Sequence, residues 1–63
     1  MKFVELHLTD DNRKIAVNPS IISVVTVSDE GTTRIFYSSL NQTDEVKEEY
    51  GVVLMRIHDA LKG

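Results

Sequence analysis

The hydrophobic period of this chain changes once, near residue 48, and this change limits the folds that it can adopt. Before residue 48, apolar side chains recur at every second position in several short runs, which is typical of strands that bury one face. After it, they recur every three or four residues, which is typical of an amphipathic helix. The sequence therefore predicts an α+β fold, in which a four- to five-stranded, mostly antiparallel sheet carries one C-terminal helix packed on it.

Turn-forming residues divide the first part of the chain into its predicted strands. Asn18-Pro19-Ser20 predicts a tight or 3₁₀ turn, because proline cannot donate to a sheet ladder and asparagine and serine cap turns. Gly31 is free to take a positive φ, and the polar stretch 38–43 has no period, which predicts a loop. The predicted single domain, residues 1–63, has strands at about 2–8, 13–17, 22–28 and 32–38, an optional fifth strand at 44–47, and a helix at about 48–61.

The third predicted strand is apolar on both of its faces. Val25 and Val27 alternate with Val24 in a run that is rich in β-branched residues. Strands with this pattern are usually buried on both faces. We therefore predict that this strand is central in the sheet or covered on both sides.

The predicted helix has a broad apolar stripe with further apolar residues beside it. The stripe, which we predict to pack on the sheet, consists of Tyr50, Val53, Leu54, Ile57 and Leu61. Val52 and Met55 lie off this stripe, and Phe36 lies on the second face of its strand. Because so short a chain has no second layer to cover them, we predict that Phe36, Val52 and Met55 form an interface with another copy or with another protein. The alternative is a broad core stripe with ordinary scattered surface residues.

The small size of the chain favours self-association. A chain of 63 residues buries only about 60% of the surface that it exposes when unfolded, so its stability is marginal. The chain has no cysteine for a disulfide or a zinc thiolate, and two histidines cannot hold a metal unaided. Oligomerisation is the remaining way to stabilise so small a scaffold. We predict a homodimer or larger assembly without metal or cofactor.

The charge and hydropathy of the chain indicate its compartment. The net charge is −3, with ten acidic residues against seven basic ones, so there is no basic footprint for a nucleic acid. No apolar run approaches the roughly 20 residues that span a membrane. The N-terminal stretch reaches an acid at Glu5, which is not typical of a signal peptide. We expect a cytoplasmic protein that binds neither membrane nor nucleic acid.

The polar residues do not form a catalytic motif. Most acidic residues come in adjacent pairs within predicted turns or near the helix start, where solvated turn and cap residues explain them. His7 lies on the polar face of a strand, and His58 is adjacent to Asp59, which it does not face on a helix. There is no nucleophile elbow and no glycine-rich phosphate loop. We predict that the protein is not an enzyme.

Three basic residues give a second hypothesis. Arg34 lies on the fourth predicted strand, and Lys47 and Arg56 lie near or on the helix. If these side chains converge across a subunit seam, they can bind a small anion such as a signalling nucleotide. Ordinary surface charge is the alternative.

Most of residues 3–57 resemble a group of very small bacterial proteins, of which the flagellar-operon FlbD (swarming-motility SwrD) family is a named member. The stretches that carry the resemblance are FVELHL, IAVNPSII, SVVTVSDEGTTRIF and VKEEYGVVLMRI. Asn18 matches the family's turn, Val46 its last strand and Glu48 its helix start. Short proteins of phages and prophages are similar in shape. The resemblance implies an accessory protein that acts by binding, with no catalytic residues to carry over.

Two functional hypotheses follow from these observations. The first is a small non-catalytic interaction module that acts as a homo-oligomer, in the role of a bacterial or phage accessory protein. The second is a phage-type protein that sequesters a small anionic ligand at the seam between subunits.

Overall fold

Five strands, one 3₁₀ turn and one helix make up the computed structural model, which describes residues 1–39 and 41–63. The elements are β1 (Val4–His7), β2 (Lys14–Val17), the 3₁₀ turn (Pro19–Ile21), β3 (Ile22–Val27), β4 (Thr33–Tyr37), β5 (Thr43–Val46) and α1 (Tyr50–Lys62). The predicted loop at 38–43 includes residue 40, which lies outside the described residues.

The α+β class is confirmed, but the prediction of one four- to five-stranded sheet is wrong. β1 and β2 form a two-stranded sheet, and β3, β4 and β5 form a three-stranded sheet in that order, with every pair antiparallel. An isolated bridge between Leu8 and Val46 joins the two sheets. Beyond this bridge, the outward N–H of His7 and the outward carbonyl of Glu5 bond to the side chains of Glu48 and Arg56, and not to a strand.

Local sequence explains the turns. The Oδ1 atom of Asn18 accepts hydrogen bonds from the backbone N–H and the hydroxyl of Ser20, at 3.0 and 2.8 Å, and so caps the 3₁₀ turn. This confirms the predicted tight turn. Gly31, which is free to take a positive φ, has a φ of 87° between β3 and β4. Asn12, a residue type that tolerates the left-handed region, has a φ of 59° in the first hairpin.

The core lies between the inner faces of the two sheets and α1. It consists of Val4, Leu6, Val17, Ile35, Tyr37, Val46, Val53 and Ala60. Burying a Val, Leu or Ile side chain stabilises a fold by about 1.5–3 kcal/mol. The hydroxyl of Tyr37 donates to Asp44 Oδ2 at 2.7 Å, and burial together with this hydrogen bond raises the pKa of Tyr37.

β3 is an edge strand, which contradicts the prediction that it is central or covered on both sides. The 3₁₀ turn separates it from β2, and within the described residues only β4 pairs with it. Val24 on its outer face is 51% exposed, and Val27 on its inner face is 50% exposed. β3 is apolar on both faces, but α1 packs only against its inner face, so its outer face is not covered by the helix.

The helix buries a narrower line of residues than predicted. Val53 and Ala60 are buried and Ile57 is partly buried, at the spacing i, i+4 and i+7. Tyr50, Leu54 and Leu61 were predicted to belong to the core, but each is at least 40% exposed. They are exposed because only the line of Val53, Ile57 and Ala60 faces the core. The other residues of the predicted stripe lie next to this line on the helix surface.

Candidate interaction surfaces

The two sides of α1 differ in chemistry. Arg56 and Asp59 line a shallow depression together with Glu5 and neighbouring residues of the N-terminal strand, so this side of the helix faces β1. Leu54 and Leu61 lie about 140–160° around the helix axis from Arg56, at about 100° per residue. Besides β1, α1 contacts β3 and the 3₁₀ turn. The side of α1 that carries Leu54 and Leu61 therefore lies towards β3.

A polar cluster closes the side that faces β1. It consists of His7, Glu48, Arg56 and the backbone carbonyl of Glu5. The backbone N–H of His7 donates to Glu48 Oε1 at 2.9 Å, and His7 Nδ1 lies 2.8 Å from Oε2. Arg56 Nη1 donates to the carbonyl oxygen of Glu5 at 2.9 Å and lies 3.5 Å from Glu48 Oε2.

Glu48 is held ionised at the centre of the polar cluster. Burial raises the pKa of its carboxyl, but hydrogen bonds from the ring and the backbone N–H of His7 outweigh this effect and leave the pKa below its ordinary value. Because a carboxylate only accepts hydrogen bonds, Nδ1 of His7 carries the proton between them. The hydroxyl of buried Thr33 donates to the carbonyl oxygen of Glu48 at 2.7 Å and fixes its backbone.

The polar cluster seals the free edge of β1. The outward N–H of His7 is bonded to Glu48, its outward carbonyl accepts from the N–H of Lys47 at 2.8 Å, and the carbonyl of Glu5 accepts from Arg56. These groups make the hydrogen bonds that a neighbouring strand would otherwise make. The residue pattern predicts Glu48 at the start of the helix and His7 on the surface, and it does not reveal the contact between them. They are 41 residues apart, so no local pattern could have revealed it.

The residues proposed for anion binding lie apart within one chain. Arg34 pairs with Glu45 on the outer face of β4 and β5, and this hydrogen bond raises the pKa of Arg34 and lowers that of Glu45. Arg56 belongs to the polar cluster, and Lys47 is exposed. Arg56 lines the depression beside β1, and Arg34 lines a separate one near the turn between β3 and β4. Convergence of the three basic residues would need a second copy, so anion binding stays a prediction.

The residues predicted to form an interface occupy different faces. Phe36 is half-buried on the outer face of its sheet, opposite the face that carries Ile35 and α1. Val52 is half-buried, and Met55 is 58% exposed on the helix. The core lies between Phe36 and the two helix residues, so the three side chains do not form one patch on a single chain. Their role in binding stays a prediction.

Exposed apolar side chains concentrate on β3 and α1. Of the eight large apolar residues that are exposed in the described part of the chain, six lie on these two elements: Val24, Val27, Tyr50, Leu54, Met55 and Leu61. Tyr50, Leu54 and Leu61 share one side of the helix at i, i+4 and i+11, and we call them the apolar side of α1. Such a group of neighbouring apolar residues marks an interaction site more often than isolated surface residues do.

The backbone of β3 adds hydrogen-bonding groups to this surface. The N–H of Ser28 donates to the carbonyl of Thr32 at 2.8 Å, across the β3–β4 ladder. The direction of the backbone groups alternates along an antiparallel strand. The N–H and C=O groups of Val24 and Thr26 therefore also point towards β4, and those of Val25 and Val27 point away from it. No backbone group within the described residues bonds to the outward groups of Val25 and Val27.

The described residues form neither a metal site nor a membrane-spanning helix. In the described part of the chain, no three His, Asp or Glu side chains are placed to hold a metal ion, and no helix is long and apolar enough to cross a membrane. Comparison with protein-family models, curated proteins and solved structures finds no match to this chain. The resemblance to the FlbD (SwrD) family therefore stays a prediction.

Proposed function

We propose that this protein is a non-catalytic interaction module that self-associates through the apolar side of α1. The observation that carries the proposal is the exposure of Tyr50, Leu54 and Leu61, at 42%, 40% and 52%, along one side of a single helix. These three positions carry no charge, whereas Arg56, Asp59 and Lys62 lie elsewhere on α1. Burial of this side against a second copy would remove apolar area from water at about 25 cal/mol per Å².

The size of the molecule supports self-association. Its accessible surface is 4240 Å², and a stable interface covers about 800 Å² on each partner, which would be about a fifth of this surface. A domain this small gains stability when a partner extends its core. Three partly exposed side chains supply only part of that area, so the seam must extend beyond α1.

The polar residues are consistent with a binding role. The hydrogen bonds of His7 and Glu48 join β1 to the segment before α1, and the proposal assigns them a structural role. Arg56 acts in the same way through its bond to the carbonyl of Glu5. The resemblance to the FlbD (SwrD) family adds the expectation that such a module serves as an accessory protein in a bacterium or a phage.

Light scattering of the wild type and of Leu54→Glu, from 1 to 500 μM protein, tests the proposal. We expect a dimer or larger species for the wild type, and a folded monomer for Leu54→Glu, because the new carboxylate would be buried without a partner in the seam. Met55→Glu is the matched variant, since it places the same charge one residue further on and about 100° around the helix, and it also tests the interface role that the sequence predicts for Met55.

We expect Met55→Glu to keep the mass of the wild type. A wild type that stays monomeric over the whole concentration range would contradict self-association. A dimer that is disrupted by Met55→Glu and not by Leu54→Glu would place the seam on another side of α1.

A further inference from the structure

The outer edge of β3 is open, although the strand has the composition of a buried one. The outward N–H and C=O groups of Val25 and Val27 have no partner in the described part of the chain. Open edges of this kind are templates for the addition of a further strand. The edge of β1 is different, because side chains of the polar cluster bond to its outward groups.

β3 also lacks most features that keep edge strands apart. Proteins protect such edges with charged side chains, with proline, with bulges or with very short strands. β3 has six residues, no charge and no proline, and its one bulge lies at its first residues, between Ile22 and Val24. The other open edge, β2, has four residues, begins at Lys14 and follows Arg13. Only β2 is therefore protected against pairing.

The exposed apolar residues of β3 lie on both of its faces. Val24 lies on the outer face beside Phe36, and Val27 lies on the inner face that carries α1. A ligand docked on the helix would cover only the inner face. A strand added to the edge extends both faces, so its side chains would lie beside Val24 and Val27 at once. Strand addition therefore explains both exposures with one partner.

A second copy of the chain fits this edge. Two copies each carry a net charge of −3, so they can approach most easily where both are uncharged, and β3 has no charged residue. A two-fold axis at Thr26 would pair Val25 with the partner's Val27 in an antiparallel ladder, and symmetry would repeat the pair. In this register the acidic turn residues Asp29 and Glu30 would lie beside the uncharged start of the partner's strand.

We propose that β3 pairs antiparallel with β3 of a second copy and joins two three-stranded sheets into one sheet of six strands. The proposal rests on the self-association proposed above and names its geometry. Each dimer gains four backbone hydrogen bonds from Val25 and Val27. Because α1 packs beside β3 on the inner face, the apolar side of α1 comes to lie along the same seam and extends it.

Proline substitution at position 27 tests the pairing. Val27→Pro removes the outward N–H and leaves the β3–β4 ladder intact, and edge strands tolerate proline at such positions. Val27→Thr is the matched control, since it keeps the N–H and the β-branched shape. Each Val27→Pro dimer would lose two of its four hydrogen bonds, so we expect a dissociation constant about thirty-fold higher than that of Val27→Thr. Sedimentation of both variants measures it.

Hydrogen exchange of the wild type gives an independent reading that does not depend on how well Val27→Pro folds. In the paired dimer, the amides of Val25 and Val27 exchange slowly, and they exchange fast in the Leu54→Glu monomer. Thr26→Pro is expected to damage the fold itself, because the N–H of Thr26 points towards β4. This contrast checks the assignment of inward and outward groups.

The outcomes separate the two proposals. A monomeric wild type overturns the proposed function and the pairing together. A wild-type dimer in which Val27→Pro and Val27→Thr bind equally, and in which the amides of Val25 and Val27 exchange fast, overturns the pairing alone. In that case the seam is formed by α1 without β3. Slow exchange at both amides in the dimer, with the expected weakening by proline, supports the pairing.

Discussion

β1 and β3 each have an edge that faces away from the paired strand. The outward backbone groups are hydrogen-bonded at the edge of β1 and unpaired at the edge of β3 within the described residues. The outward groups of β1 meet side chains of Glu48 and Arg56, together with a backbone N–H from the segment before the helix. The outward groups of β3 meet no other backbone in the described residues. An edge strand can thus be closed by polar side chains of its own chain, or it can be left open for a partner.

The path of the chain between β5 and α1 explains the difference. This segment passes β1, where the hydroxyl of Thr33 donates to the carbonyl of Glu48 and the carboxylate of Glu48 contacts His7. One and a half turns into the helix, Arg56 reaches the same edge. β3 meets the side of α1 that carries Leu54 and Leu61, and no side chain of α1 bonds to the outward groups of Val25 and Val27 within the described residues. The closed edge of β1 and the open edge of β3 therefore lie on either side of one helix.

The largest expected effect comes from opening the closed edge with Glu48→Ala. This substitution leaves the backbone N–H and the ring of His7 without an acceptor in a partly buried position. We expect the free energy of unfolding to fall by about 1–3 kcal/mol. Urea denaturation measures the change at one fixed protein concentration, because self-association adds to the apparent stability.

Glu49→Ala is the control for this substitution. Glu49 is adjacent and exposed, and its side chain makes no cap hydrogen bond to α1. We expect it to change the stability by less than about 0.5 kcal/mol. Equal effects of the two substitutions would show that the polar cluster does not hold the edge of β1.

A smaller effect is expected from Arg56→Met, which keeps an unbranched apolar stem and removes the guanidinium. The variant loses the hydrogen bond to the carbonyl of Glu5 and the cation that lies 3.5 Å from Glu48 Oε2, at a site where the Arg56 side chain is 46% exposed. We expect a loss of about 1 kcal/mol in urea denaturation, because water can partly replace the lost donor. Lys62→Met, at the last residue of α1, is the control. A loss as large as that of Glu48→Ala would give Arg56 the leading role at this edge.

The smallest effect is a change in the pH dependence of stability. Because the pKa of Glu48 is lowered in the folded protein, its contribution is present above the ordinary value of 4.5 and is lost as the pH falls through the folded value. This contribution is expected to be level from pH 7 to about 5 and to fall below that. Glu48→Gln should make the acid limb shallower, as read from urea midpoints at each pH.

The acid limb should become shallower in Glu48→Gln without disappearing. Glu45 and Asp11 also have lowered pKa values, through hydrogen bonds from Arg34 and Arg13, and both pairs remain in this variant. Glu49→Gln is the control and should follow the wild-type curve. Parallel curves for Glu48→Gln and the wild type would contradict the assigned role of the carboxylate.

Several elements could be predicted from neighbouring residues. The tight turn follows from Asn18 and Pro19, and the positive φ follows from Gly31. The sheet arrangement could not be predicted in this way. Strand runs with a period of two are compatible with one sheet or with two. The number of sheets depends on whether a strand or polar side chains bond to the outward backbone groups of β1. Those side chains belong to Glu48 and Arg56, far along the chain.

The candidate surface shows the same division. The period of the helix predicts that Tyr50, Leu54 and Leu61 share a side, and they do. Whether that side faces the core depends on how α1 crosses the strands. The structure turns Val53 and Ala60 inwards and leaves the other three exposed. Likewise, the apolar pattern of β3 predicts that both of its faces are buried. Because β3 lies at the edge of its sheet, Val24 and Val27 stay exposed within one chain.

The sequence by itself determined the α+β class, the turns and the apolar sides of the strands and the helix. These features depend on backbone preferences and hydrogen bonds within a few residues, so short stretches specify them. The tertiary structure decided which strand edge is closed, which side of α1 is buried and where His7 meets Glu48. Those outcomes depend on contacts between residues far apart in the chain, which exist only once the whole chain has packed.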